Sequence, residues 1–205
     1  MREKVKYLFY PLTHPVNGFY EIRHAKKGSV FLAFVLVLCY GISFSINRQY
    51  ASFIVNDVNP LSINSLMEVL AVIALFFLFS IGNWSITCLM DGEGRLVDIL
   101  TVTGYSLLPM VMMYLPCTLL SHMIAEKEEA FYYVLMGASI IYFIALEVIG
   151  LMTIHNFTFG KTFVIILLTI AAVFVILFLT LLLGSVLQQI IMFFGGIYDE
   201  LMLRA

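Results

Sequence analysis

The stretch from Thr162 to Phe194, TFVIILLTIAAVFVILFLTLLLGSVLQQIIMFF, contains no charged residue. A helix needs about 20 consecutive apolar residues to cross the hydrocarbon core of a bilayer, and this run exceeds that. Its apolar residues do not alternate with polar ones, which excludes the strands of a membrane β-barrel. Lipid offers the backbone no hydrogen-bond partners, so an open segment of this kind must be a helix.

Four more runs lie upstream: Ser29 to Ile46, Val69 to Met90, Leu96 to Ser121 and Phe131 to Ile154. The sequence therefore predicts an all-α, polytopic membrane protein, a bundle of five transmembrane helices. Composition agrees. Of 205 residues, 62% are hydrophobic and 12% charged, and the mean hydropathy is +1.02. An average soluble chain is about 25% charged, so there is too little polar surface here to coat a water-soluble globule. A formal net charge of −2 gives nucleic acid no bulk attraction.

Residues 1–28 form a separate basic segment with six of the eleven Lys and Arg, namely Arg2, Lys4, Lys6, Arg23, Lys26 and Lys27. Pro15 suits the first turn of a helix. From there Val16, Phe19 and Tyr20 are expected to face the membrane, while Arg23, Lys26 and Lys27 stay among the headgroups: a short interfacial helix ahead of the first span. The expected division is a cytoplasmic segment over 1–28, a membrane domain over 29–194 and a short tail over 195–205. No signal-peptide cleavage site precedes the first run, which reads as a retained span. With the N-terminus in the cytoplasm, eight Lys and Arg fall on inner segments and three (Arg48, Lys127, Arg204) on outer ones. Basic residues favour the inner side, so the C-terminus is expected outside. Asn56, Asp57, Asn59 and Pro60 read as an outer turn.

Glu147 is the most informative single residue. It lies inside the fourth run, where an ionisable group costs about 2.5–3.5 kcal/mol on insertion scales and must face protein or water. The topology puts Asn83, Tyr105 and Glu147 at similar depth. Two readings follow: a polar cluster open to the cytoplasm, or interhelical hydrogen bonding with a protonated Glu147. Asn83-Trp84 leads into Asp91-Gly92-Glu93-Gly94, a tight acidic turn whose glycines would permit positive backbone angles. Asp91 and Glu93 could meet a cation or a partner's basic residue, although the calcium-loop pattern is absent. Gly104, Pro109 and Pro116 predict a kink or break in the third span. Gly41 and Ser45 are a small-residue packing pair. His155 and Lys161 read as residues of a solvated loop. Cys39, Cys88 and Cys117 have no CxxC spacing and read as free, buried thiols. No HExxH, GxSxG, P-loop or GxGxxG occurs, so neither an enzyme nor a cofactor is expected.

These residues carry a family resemblance. A basic lead-in with Pro15, Phe19 and Ile22 precedes five spans. The second ends in Asn83-Trp84 followed by Asp91-Gly92-Glu93-Gly94, and the third carries Gly104-Tyr105-Ser106-Leu107-Leu108-Pro109. Over about Pro11 to Leu187 the chain resembles the Ypt-interacting-protein (Yip) family in its bacterial branch. Eukaryotic members are five-span proteins of the endoplasmic reticulum and Golgi that bind prenylated Rab GTPases. Residues 1–28 show no DLYGP-type motif, so the resemblance implies fold and topology rather than Rab binding. The expected function is a non-enzymatic integral membrane scaffold or accessory subunit. Its partners would be the lipid bilayer and another membrane protein, such as a transporter permease, or a second copy. The alternative is a small transporter or channel-like protein working through a polar cavity at Glu147.

Overall fold

The computed structural model describes residues 2–56 and 58–204; Asp57, expected in the outer turn, lies outside the described residues. Among those residues every regular element is helical: α1 (Arg2–Leu8), α2 (Tyr10–Thr13), α3 (Pro15–His24), α4 (Val30–Tyr50), α5 (Ser65–Leu89), α6 (Leu96–Ser106), α7 (Leu108–Ser121), α8 (Glu129–His155) and α9 (Phe159–Arg204), with short 3-10 turns at Pro60–Ser62 and Glu126–Glu128. Five helical stretches are long and apolar enough to cross a membrane: α4, α5, α6 with α7, α8, and α9 as far as Ile197. The chain is a multi-pass membrane protein.

The third span is the axis of the bundle. Buried residues make up 67% of its most apolar window, against 11% for the fifth span. Small residues let its neighbours close in. A Cβ on Gly104 would stand 2.5 Å from Ala33 Cβ of α4, and one on Gly150 of α8 would stand 2.4 Å from Val102 Cγ1 of α6. Without a hydrophobic force between helices in lipid, such backbone approach is a main source of packing energy. A Cβ on Gly41 would stand at ordinary van der Waals distance, 3.5 Å, from Val69 of α5.

The expected break in the third span falls at Leu107, between α6 and α7. Pro109 sits in the first turn of α7, where a missing N–H costs little. Pro116 lies within α7 without ending it. Several hydroxyls bond back to the carbonyl one turn earlier, among them Thr118 to Tyr114 at 2.8 Å, which satisfies them in an apolar setting.

The short helix expected ahead of the first span exists as α3, with Pro15 in its first turn, but one of its expected faces is corrected. Phe19 is fully buried and Ile22 nearly so. Both pack in the core with Val102, Tyr105, Leu151 and Ile154. Val16 and Tyr20 are exposed. Phe19 and Ile22 stand three residues apart and share a helix face, so docking one onto the bundle docks the other. The expected fifth span is present as the apolar part of α9, Phe159–Ile197, but the helix runs on through the expected tail to Arg204. Gly195 and Gly196 each cost about 1 kcal/mol relative to Ala in a helix, and with no proline nearby that is too little to end it.

Candidate functional site

Glu147 projects from α8 and is 6% exposed. Thr103 Oγ1 of α6 donates to its Oε1 at 2.8 Å. Its Oε2 is buried without a hydrogen bond among the described residues. The Ser106 hydroxyl, also without one, faces the same carboxyl. Glu147 and Thr103 form the polar part of one wall of a cavity of about 760 Å³. The rest is mainly apolar and aromatic, with rings from Tyr40, Phe44, Phe76, Phe79, Phe143 and Phe163. Arg48 and Glu68, from the last turn of α4 and the first turn of α5, close the other end. They form an ion pair at 3.1 Å.

The other two members of the expected cluster go elsewhere. Asn83 is fully buried and donates from Nδ2 to Thr169 Oγ1 at 3.1 Å, a bond that ties α5 to α9. Tyr105 is 2% exposed and belongs to the core around Phe19. Neither lines the cavity. The inner-half cluster of Asn83, Tyr105 and Glu147 is therefore corrected. Equal depth fixes a residue's height along a helix but not its direction around it, and these three face different neighbours. Trp84 is 40% exposed on α5, and Pro109 is buried at the start of α7.

At the end of the bundle that holds α3, the acidic turn is built differently from its sequence reading. Neither Gly92 nor Gly94 has a positive φ; Asp91 does, at 55°. The glycines are needed for space. A Cβ on Gly92 would stand 2.7 Å from His155 Nδ1, and one on Gly94 would stand 2.7 Å from His155 Cε1. His155, expected in a solvated loop, is 1% exposed. The Gly94 amide donates to its Nδ1 at 3.1 Å, so a neutral ring carries its proton on Nε2. Asn156 then ends α8 in the left-handed conformation, a common way to terminate a helix.

Glu93 is also engaged. Arg23 of α3 donates to its Oε2 at 2.6 Å and to the Ile154 carbonyl at 2.8 Å. Asn156 Nδ2 reaches the same carboxyl at 3.4 Å. The Arg23 guanidinium holds the Glu93 carboxyl below the usual carboxylate range. Arg95 bonds Asp98 through Nε at 3.0 Å and Nη2 at 3.1 Å, which raises the Arg95 pKa, and the Arg95 amide donates to Asp98 Oδ2 at 3.2 Å, capping α6. The turn is thus a latch joining α3, the α5–α6 connection and the end of α8. The cation reading for Asp91 and Glu93 finds no supporting geometry. Glu93 is committed to Arg23, and no group of three His, Cys, Asp or Glu that could hold a metal occurs among the described residues.

At the opposite end, sequence reading passed over a second set of polar residues. Asn47 donates to Thr118 Oγ1 at 2.8 Å and to Tyr132 OH at 3.0 Å, clamping α4, α7 and α8. The Ser52 amide donates to Ser121 Oγ at 3.0 Å. The available signal was an asparagine in the last turn of a span. Lys161 sets its ammonium 4.1 Å from the Phe157 ring centroid.

No curated protein and no solved structure matches the chain. The family model for the Yip1 domain matches residues 9–181, a range that starts within the docked N-terminal helices and ends within α9. With five membrane-length helices and a match over most of its length, the chain belongs to the Yip1 domain family.

Proposed function

We infer that this Yip-type protein is a non-enzymatic membrane scaffold or accessory subunit that engages another membrane helix through α9. The observation that carries this reading is the exposed stretch of α9 from Leu177 to Ile197. Every residue from Leu177 to Ile197 is exposed, while the first half packs against α5 through Asn83, Gly82, Thr169 and Val173. At 1.5 Å per residue the 46-residue helix is about 70 Å long, against a hydrocarbon core of about 30 Å. Upright, more than half of it would lie outside that core, carrying Ile190, Ile191, Phe193 and Phe194. An apolar arm of that kind calls for a covering helix, and Gln188 and Gln189 on it would find hydrogen-bond partners in such a contact. The excess of basic residues in 1–28 favours a cytoplasmic N-terminus in the cell membrane.

A photo-crosslinker at Leu187, introduced in the full chain and activated in native membranes, tests this. A discrete adduct is expected at Leu187 and none at the exposed loop residue Leu61; the adduct mass separates a second copy from a different partner such as a permease. Lipid adducts alone at Leu187 would overturn the reading.

A second reading, a small transporter, draws support from the cavity beside Glu147. Glu147→Gln would then abolish flux in proteoliposomes while leaving the unfolding midpoint in place. Retained flux would contradict it.

A further inference from the structure

We propose that the cavity beside Glu147 is a binding site for an amphiphile carrying a single ammonium group and an apolar chain. The volume of about 760 Å³ lies within the usual range of small-molecule sites, about 300–1,000 Å³. Leu75, Ile144, Phe163 and Ile170 line it and are themselves about half exposed. The cavity therefore opens sideways, toward the hydrocarbon, and what enters must first dissolve in the bilayer.

The polar atoms define the ligand's head. Two carboxylate oxygens on the lining residues are buried without a hydrogen bond among the described residues: Glu147 Oε2 and Glu68 Oε2. They stand at opposite ends of the cavity, and Glu68 is already paired with Arg48, so the head seats at Glu147: its free oxygen is an acceptor, which fits a head that donates or carries positive charge and does not fit an anionic one. Arg48 is already engaged by Glu68 Oε1. The Arg48–Glu68 pair neutralises itself, so an ionised Glu147 leaves one negative charge at its wall, which a monocation neutralises. Six aromatic rings line the same space, and ring faces attract ammonium groups, most strongly away from water. Charge and ring content thus select the same head. This inference concerns binding only and is independent of the α9 reading.

The test uses the full chain in a non-ionic detergent. Native mass spectrometry and thermal unfolding would compare dodecyltrimethylammonium, dodecyl sulfate and dodecanol. The cation is expected to bind at one per chain, at least ten-fold tighter than either counterpart, and to raise the unfolding midpoint. Glu147→Gln is expected to reduce cation affinity at least ten-fold. Val148→Phe, whose larger side chain takes up part of the cavity, should also reduce it by exclusion, and keeps the test decisive if Glu147→Gln fails to fold. A membrane lipid that co-purifies and is displaced by the cation should carry an ammonium headgroup. Equal binding of all three amphiphiles, unchanged affinity in the folded variants, or a tightly retained anionic lipid in the cavity would overturn the proposal.

Discussion

The imidazole of His155 occupies the space that a side chain on Gly94 would need. A Cβ on Gly94 would lie 2.7 Å from His155 Cε1, while the Gly94 amide donates to Nδ1 at 3.1 Å. The three nearest atoms to that Cβ all belong to the ring. Gly94→Ala is therefore expected to destabilise the protein by about 1–3 kcal/mol, as overpacking does. His155→Ala, which removes the ring, should make the second substitution nearly free. The double-mutant cycle by thermal unfolding in detergent would show strong non-additivity; additive losses would contradict the contact. Gly92→Ala should not be rescued fully, because its Cβ would also stand 2.9 Å from the Thr87 carbonyl.

At the bundle axis the expected cost is larger. Gly104→Ala sets a methyl against Ala33 Cβ at 2.5 Å and against Ala33 backbone atoms at 2.8 and 2.9 Å. Backbone cannot rotate away, so α4 and α6 must separate. A loss of about 3 kcal/mol is expected, at the upper end of the usual overpacking range. Gly137→Ala, with nothing within 4 Å, is the control. It should be neutral or stabilising by up to about 1 kcal/mol, since alanine is the better helix residue. Equal behaviour of the two variants would contradict the packing.

The Arg23–Glu93 pair makes α3 docking sensitive to acid. The folded pKa of Glu93 is depressed, chiefly by its hydrogen bond with Arg23. A depressed carboxylate contributes stability above its unfolded pKa, about 4.3, and that contribution is lost as pH falls through the lower folded value. Amide exchange of residues 15–24 should accordingly be faster in Glu93→Gln than in wild type at pH 6. The difference should close as pH drops below the carboxylate range. A difference that persists unchanged at pH 3 would argue against the pair.

Asn47 joins three spans. Asn47→Leu removes bonds to Thr118 and Tyr132. Interhelical hydrogen bonds in membrane proteins contribute about 0.6 kcal/mol each on average, up to about 1.7. A loss of about 1–3 kcal/mol in detergent unfolding is expected, and no loss would mark the network as energetically idle.

These contacts mark the boundary of what the sequence carries. The five spans were legible because run length alone decides them. The break near Leu107 was legible because Pro109 cannot continue the preceding helix. His155 was not: its buried position depends on the glycines at 92 and 94, about sixty residues away, and glycine spacing does not tell a positive φ from a close approach. Depth along the helices placed Glu147, Asn83 and Tyr105 at one level but gave no information on azimuth, and Asn83 turned to Thr169. Arg48 and Glu68 look like loop charges until α4 and α5 bring them to the same cavity wall. The length of α9 past Phe194 was not legible because the apolar run bounds a span and not the helix, which continues through Gly195 and Gly196 to Arg204.

With five helices traversing the bilayer, the Gly92–Gly94 turn and the Glu126–Glu128 turn lie at opposite ends of the third span. Single cysteines at positions 93 and 127, in a variant lacking Cys39, Cys88 and Cys117, can be labelled in intact cells with a membrane-impermeant maleimide. Position 127 is predicted to react from outside and position 93 only after lysis. Labelling of both from the same side would contradict the five-span account.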